Sequence, residues 1–173
     1  MPNLDSAAGA SLLSVFSSEL VAAISNADEP PLDEGTLQPE LSRLLEGGVG
    51  DHLAGVSANA QLECLSGLWL VAGDIHRSHS ISQDLGSKEG SFLHGIMHRR
   101  EGDFGNAKYW FRRVGDHDVF HQLSEDDGYL DPFAFVDECE RSLRRNDQDA
   151  SSRCRHLQWL EWQLLINAIV QRC

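Results

Sequence analysis

The segment from residue 152 to residue 171 constrains the fold more than any other part of the sequence. Its apolar residues recur at helical spacing and cover nearly the whole circumference of a helix, not one stripe. Such a helix needs other elements around it, so we predict that it lies at the centre of the core. The residues that define the pattern are Leu157, Trp159, Leu160, Trp162, Leu164, Leu165, Ile166, Ile169 and Val170.

The rest of the chain also has the apolar spacing of helices, and the alternation typical of strands is scarce. We therefore predict an all-α protein whose 173 residues form a single compact domain of six or seven helices. Residues 1–10 are expected to be a disordered N-terminus. Apolar spacing, capping residues, Gly and Pro predict the helices before the C-terminal one at residues 10–25, 38–46, 57–76, 91–100, 104–114 and 131–145.

Charge and hydropathy narrow the range of partners. The formal net charge is −13 at pH 7, which disfavours binding to nucleic acid phosphates and to anionic membranes. The sequence has no run of about eighteen apolar residues, so no membrane span is predicted, and its first apolar patch follows no Lys or Arg, which argues against a signal peptide. The four cysteines form no CxxC pair, and we predict reduced thiols in a cytoplasmic protein.

Residues 94–121 are unusually rich in reactive and charged side chains. This stretch holds four of the chain's eight histidines and five of its fourteen Lys and Arg residues. A local excess of positive charge in an acidic protein suits a small anion better than a long polyanion. We therefore expect any specific function to reside in this stretch.

Residues 91–114, SFLHGIMHRREGDFGNAKYWFRRV, resemble one helix-turn-helix unit of the tetratricopeptide type. The resemblance lies in Gly95 of the first helix, in the turn Gly102-Asp103-Phe104 and in Ala107 of the second helix. It implies a single hairpin of antiparallel helices that approach each other closely at small residues. The segments HGIMHRREGD and NAKYWFRRVG are also similar to those of a family of uncharacterised bacterial and fungal proteins, which implies no particular activity.

Helical geometry brings candidate metal ligands together in this stretch. At 100° per residue, His94, His98 and Glu101 share one face of the first helix of the hairpin. Two imidazoles one turn apart and a carboxylate a further turn along suit a first-row divalent ion such as zinc, manganese, iron or nickel. His76 and His79, predicted to continue the inward stripe of the preceding helix, would complete the site. The alternative is a pair of exposed helix histidines without a metal.

The basic side chains indicate an anion site. An arginine guanidinium can donate hydrogen bonds to two oxygens of a phosphate or carboxylate at once, and the ring of Tyr109 or Trp110 would stack on the ligand. The alternative is that the bases pair with neighbouring acids and only hold the hairpin together. Arg100 falls within the apolar arc of its helix, so we expect it to be buried against an acid such as Asp74 or Asp103. The candidate ligand-binding residues are Arg99, Asn106, Lys108, Tyr109, Trp110, Arg112 and Arg113.

Two functions of different classes are consistent with these residues. The first is a polar His/Arg pocket around residues 76–113 that binds a small anionic phosphate or carboxylate and uses a divalent metal for hydrolysis. In this pocket His94 or His98 would be a metal ligand or the general base, and Glu101 a ligand or an acid. The second is a non-catalytic interaction module in which the tetratricopeptide-like hairpin holds a peptide. An enclosed site with converging imidazoles would favour the first, and an open groove the second.

Overall fold

The computed structural model describes residue 4, residues 12–125, residue 129 and residues 131–172. These residues form ten α-helices and a short 3₁₀-helix at Gly50–His52, and they contain no β-strand. The all-α prediction is therefore confirmed. The helices are α1 (Leu12–Val15), α2 (Ser18–Asn26), α3 (Pro39–Glu46), α4 (Ala58–Ala72), α5 (Ile75–Ser82), α6 (Lys88–Glu101), α7 (Phe104–Val114), α8 (Asp118–Ser124), α9 (Pro132–Arg145) and α10 (Gln148–Gln171).

The long helix predicted at residues 57–76 is divided in two at Gly73. This glycine has a left-handed φ of +78°, which ends α4. A Cβ at this position would lie 2.2 Å from the Thr36 carbonyl oxygen, so the close approach of the backbone also requires glycine. Asp74 follows and caps α5 by accepting a hydrogen bond from a backbone amide of its first turn. The chain direction therefore changes just before His76 and His79.

Other helix boundaries differ from the predicted ones because of local capping residues. The helix predicted at residues 10–25 is divided between α1 and α2, and Ser17 caps α2. Ser87 rather than Ser91 caps α6, which adds a turn at its start. These divisions, together with the short α8, account for ten helices where six or seven are predicted. Of the residues predicted to be a disordered N-terminus, only Leu4 lies within the described part of the chain, and it is buried.

Helix α10 lies at the centre of the core, as its apolar circumference predicts. It packs against α1, α4, α8 and α9. Trp159 and Trp162 stack with their ring centroids 4.8 Å apart, and the Trp162 indole donates to the Gly67 carbonyl at 2.8 Å. A Cβ at Gly67 would lie 2.5 Å from Ile166 Cδ1. The absence of a side chain at Gly67 therefore lets α4 pack closely on α10.

Helix α6 is buried on every side between Gly90 and Arg100. Helices α4, α5 and α7 pack around it. A Cβ at Gly95 would lie 3.1 Å from the ring of Phe111, so this glycine allows the close approach of α6 and α7 that the sequence predicts. The polar side chains of α6 are consequently enclosed by protein, whereas a typical surface helix exposes them.

Arg99 holds α6 to α10. Its guanidinium is 1% exposed and donates to both carboxylate oxygens of Glu161, with 2.5 Å between Nη2 and Oε2 and 3.3 Å between Nη1 and Oε1. Nη2 also donates to Gln158 Oε1. Burial by itself would lower the pKa of Arg99, but the charge of Glu161 outweighs this effect and raises the pKa, so the side chain stays charged. Arg99, a predicted ligand-binding residue, is thus engaged in an internal ion pair.

Arg100 holds a proline-containing loop to the core. This loop, residues 27–38, connects α2 to α3. The guanidinium is 2% exposed, and its Nε and Nη2 donate to the carbonyl oxygens of Asp33 at 3.0 Å and Glu34 at 2.9 Å. Nη1 donates to the Leu70 carbonyl near the end of α4. The predicted burial of Arg100 is confirmed, but the predicted acidic side-chain partner is wrong, because main-chain carbonyls take these three donors.

A network of charged side chains fixes the C-terminal end of α10. Arg172 donates to Glu63 of α4 and to Glu89 of α6, with Nη1 2.5 Å from Glu89 Oε2. His117 accepts the Val119 amide at Nδ1, so its ring proton is on Nε2, which lies 3.7 Å from Glu89 Oε1. The His117 ring and the charge of Arg172 lower the pKa of Glu89 to about 2, although partial burial opposes them.

Glu89→Gln should destabilise the protein in a pH-dependent way. The pKa of this carboxyl in the folded state is about 2, below the ordinary value of 4.5. Its contribution to the free energy of unfolding is therefore fully present above the ordinary pKa and is lost as the pH falls through the folded one. We expect the variant to be less stable than the wild type by about 1 to 2 kcal/mol near neutral pH, and this difference to shrink in acid.

Urea unfolding followed by circular dichroism, at neutral pH and at several values below the ordinary carboxyl pKa, measures this difference. Glu46→Gln is the control, because it removes a carboxylate that is 60% exposed in an ion pair with Arg77. A destabilisation by Glu89→Gln that stays constant across the acid range would contradict the role given to the Glu89 charge.

Candidate functional site

Three histidines from two neighbouring helices form a cluster. His79 lies on α5, and His94 and His98 lie one turn apart on α6. Each offers one ring nitrogen, and these three nitrogens all lie within 4.8 Å of one another. Nitrogens bound to one tetrahedral zinc ion are about 3.3 Å apart, so small rotations of the rings would bring all three onto one ion. Within the described part of the chain, no other group of three His, Cys, Asp or Glu residues converges in this way.

Hydrogen bonds behind the cluster fix the ring tautomers of both α6 histidines, with an electron pair on each Nε2. Ser82 Oγ donates to the His79 carbonyl at 3.4 Å, so it accepts from Nδ1 of His94, which is 2.9 Å away. The carboxylate of Glu101 accepts from Nδ1 of His98, with 2.9 Å between Nδ1 and Oε2. Both rings are thus protonated on Nδ1. This is the tautomer in which a histidine binds a metal through Nε2 while a second residue orients the ring.

Burial keeps His94 in its neutral form. The side chain is 2% exposed, and the Trp110 ring covers it with a centroid separation of 4.1 Å. Burial, followed by the proximity of His98 and His79, lowers the pKa of His94 to about 4. Only the neutral imidazole binds a metal ion. His79 is half-buried, and the cluster therefore reaches solvent on the α5 side.

Two side chains of helix α7 contact the cluster, and a third lies against one of these two. Asn106, Trp110 and Arg113 follow the i, i+4, i+7 spacing of one helix face. The Asn106 amide lies 3.0 Å from Nε2 of His98 and donates to its electron pair. The Cζ atom of Arg113 lies 5.1 Å from the ring centroid of Trp110, which itself covers His94. This face, defined by Asn106, Trp110 and Arg113, is called the α7 polar face below.

The structure separates the remaining predicted ligand-binding residues from the cluster. Lys108 pairs with Asp137 of α9 at 2.5 Å. Arg112 is exposed and lies over the ring of Phe133 on the α9 side, 5.8 Å from its centroid. Tyr109 is 48% exposed and meets Trp110 edge to face. Of the predicted basic residues, Arg113 is exposed and lies against Trp110, which itself covers His94.

Two differences from the sequence analysis concern α5. His76 is exposed and does not belong to the cluster, because α5 begins anew at Ile75 and does not continue the inward stripe of α4. Ser82, which orients His94, is the residue that the sequence analysis missed. It lies one turn after His79, and this spacing becomes informative only when the limits of α5 are known.

Comparison of this chain with known protein families, with curated proteins and with solved structures finds no match. None of the helices in the described part of the chain is both long and apolar enough to cross a membrane. The interpretation of the site therefore rests on its own geometry and chemistry.

Proposed function

We propose that this protein binds a first-row divalent metal ion through His79, His94 and His98 and presents it to a small ligand. The observation that carries the proposal is the convergence of three ring nitrogens within 4.8 Å on adjacent helices. Imidazole nitrogen is a preferred ligand of zinc, nickel, copper and iron. Three protein ligands leave at least one coordination position for water or for a substrate, as in catalytic rather than structural zinc sites.

The residues around the histidines support this proposal because they prepare the rings for a metal. Ser82 and Glu101 engage the Nδ1 atoms of His94 and His98, so each Nε2 carries the electron pair for a metal, and at His98 the ion would displace the hydrogen bond from the Asn106 amide. Glu101 is thus proposed as a positioning residue and not as a metal ligand, since its carboxylate already accepts from His98. Two helices that are otherwise held by the core carry all three ligands, so the geometry of the site is stable before the ion arrives.

Hydrolysis is the reaction class that such a centre supports best. A divalent ion with an open position lowers the pKa of a bound water and polarises an oxygen of the substrate. The residues available for this chemistry are the three ligands, with Asn106 beside His98 and Arg113 beyond Trp110. The proposed substrate is small and anionic, a phosphate or a carboxylate.

The competing hypothesis is a peptide-binding module built on the α6–α7 hairpin. It has less support, because α6 is buried from Gly90 to Arg100 and the hairpin offers a partner only the outer side of α7. A cytoplasmic location is retained as a proposal, since Cys139 and Cys154 form no disulfide and reduced cysteines are typical of that compartment.

Metal titration of chelator-treated protein tests the proposed site. Isothermal calorimetry with Zn²⁺, Ni²⁺ and Co²⁺ should give about one bound ion per chain. His79→Ala should weaken binding by more than the about 10-fold to 100-fold that loss of an orienting partner costs. Glu101→Gln, which changes only that partner, should fall within this smaller range.

His76→Ala is the matched control, because it removes an exposed histidine from the same helix without touching the cluster. Its affinity for the metal should equal that of the wild type. No binding of any of these ions by the wild type, or equal losses in His79→Ala and His76→Ala, would rule out the proposed site. Circular dichroism of each variant establishes that the helices are retained.

A further inference from the structure

We infer that the α7 polar face makes the proposed metal centre selective for small oxyanions, with Asn106 and Arg113 as the residues that contact the anion. This inference rests on the proposed metal site and names the chemistry of its ligand. The ligands that fit share one property, which is that they carry two oxygens and a negative charge. One oxygen would bind the metal, and the other would accept hydrogen bonds from a guanidinium.

Asn106 lies where it can contact a ligand of the metal. Its amide nitrogen donates to Nε2 of His98, the same electron pair that a metal ion would use. When a metal takes this pair, the amide loses its acceptor and has to move aside to make room for the ion. An oxygen bound to the metal is then the nearest group that can accept this N–H, and an anionic oxygen accepts more strongly than a neutral one.

Arg113 is a second group that can contact an anion. The side chain is exposed and stacks over Trp110. Two other bases of the hairpin have carboxylate partners, since Arg99 pairs with Glu161 and Lys108 with Asp137. Arg112 has none within the described part of the chain, but it lies over Phe133 on the α9 side. No carboxylate within the described part of the chain forms an ion pair with Arg113. Its guanidinium can therefore donate two parallel hydrogen bonds to an oxyanion.

The positive charge of the metal-loaded centre also favours an anion. Three neutral imidazoles leave the double positive charge of a bound ion, and the Glu101 carboxylate behind His98 opposes it in part. Arg113 adds a further positive charge from α7, beyond the Trp110 ring. The surrounding protein is strongly acidic, with a net charge of −13, and this restricts binding to an anion small enough to enter the positive region.

Spectroscopic titration of the Co²⁺-loaded protein, freed of excess ion, tests the inference. The visible bands of Co²⁺ report a change in its ligands. Phosphate, sulfate and acetate are added separately at fixed ionic strength, with neutral acetamide as the control, so that screening cannot imitate binding. We expect at least one anion to alter the bands with saturation, and acetamide to leave them unchanged.

Arg113→Gln should retain Co²⁺ with wild-type affinity and weaken binding of that anion by about 10-fold or more, the effect of losing one charge-assisted hydrogen bond. Asn106→Ala should also keep the metal and weaken the anion. Arg112→Gln is the matched control, since Arg112 is the adjacent residue, is also exposed and lies over Phe133 on the α9 side. Its anion affinity should be unchanged.

The outcomes separate this inference from the function on which it rests. Failure of the wild type to bind Co²⁺ overturns both. Binding of Co²⁺ with no response to any anion, or with equal anion affinity in the wild type and Arg113→Gln, overturns only the oxyanion inference and leaves the metal centre intact. Comparison of the three anions then assigns the preferred chemistry to phosphate, sulfate or carboxylate.

Discussion

Glu161→Gln should destabilise the protein by about 3 to 5 kcal/mol, because it removes the counter-charge from an arginine that has no contact with water. Glu161 is fully buried, and its two oxygens accept from Nη1 and Nη2 of Arg99. In the variant the guanidinium keeps its hydrogen bond from Nη2 to Gln158 and its position 4.5 Å from the Phe135 ring centroid, but neither compensates a full charge. Urea unfolding followed by far-ultraviolet circular dichroism measures the loss.

The double variant Arg99→Met with Glu161→Leu distinguishes loss of the pair from loss of one charge. Replacing a buried pair by apolar residues of similar size is often neutral or stabilising, so the double variant should be clearly more stable than Glu161→Gln. It also remains informative if the single variant does not fold. A change of less than about 1 kcal/mol in Glu161→Gln would mean that solvent reaches Arg99.

Arg100→Ala should destabilise the protein by about 2 to 4 kcal/mol, because three main-chain carbonyls lose their donor. Two of these carbonyls belong to the loop of residues 27–38 and the third to Leu70 near the end of α4. Besides a lower urea midpoint, we expect the loop to become a site of cleavage by a protease specific for glutamate, since Glu34, which is followed by Gly35, lies within it.

Arg43→Ala is the control for Arg100→Ala, because this arginine is exposed at the surface of α3. It should change neither the urea midpoint nor the cleavage pattern. Arg100→Lys should lie between wild type and Arg100→Ala, since an ammonium group can serve one or two of the carbonyls but not all three in the same geometry. Wild-type resistance of Arg100→Ala to proteolysis would show that other contacts hold the loop.

Local sequence signals predicted part of the fold well. The helix at residues 104–114 is confirmed to the residue, because Asp103 caps its first turn and Gly115 follows its last. The apolar spacing of α10 likewise predicted its central position. The division of residues 57–76 was missed, since the left-handed conformation of Gly73 accompanies the close approach of Thr36, a contact that helical periodicity does not encode.

The candidate site was predicted in one respect and not in another. Angular position on a helix brought His94, His98 and Glu101 to one face. It could not reveal that α5 and α7 cover this face, so burial of the two histidines and the contacts of Ser82 and Asn106 come only from the tertiary structure. Arg99 was predicted to bind a ligand because its true partner, Glu161, lies 62 residues away in the chain.

Three consecutive residues of α6 make three unrelated connections, and this limits how the chain can vary in length. Successive side chains of a helix diverge by about 100°, so His98 reaches the histidine cluster, Arg99 reaches α10 and Arg100 reaches the loop of residues 27–38. Inserting or deleting one residue upstream within α6 would turn all three away from their partners together. Substitutions can alter one connection at a time. A change of length in this helix would instead disrupt the histidine cluster, the contact with α10 and the contact with the loop of residues 27–38 in one step.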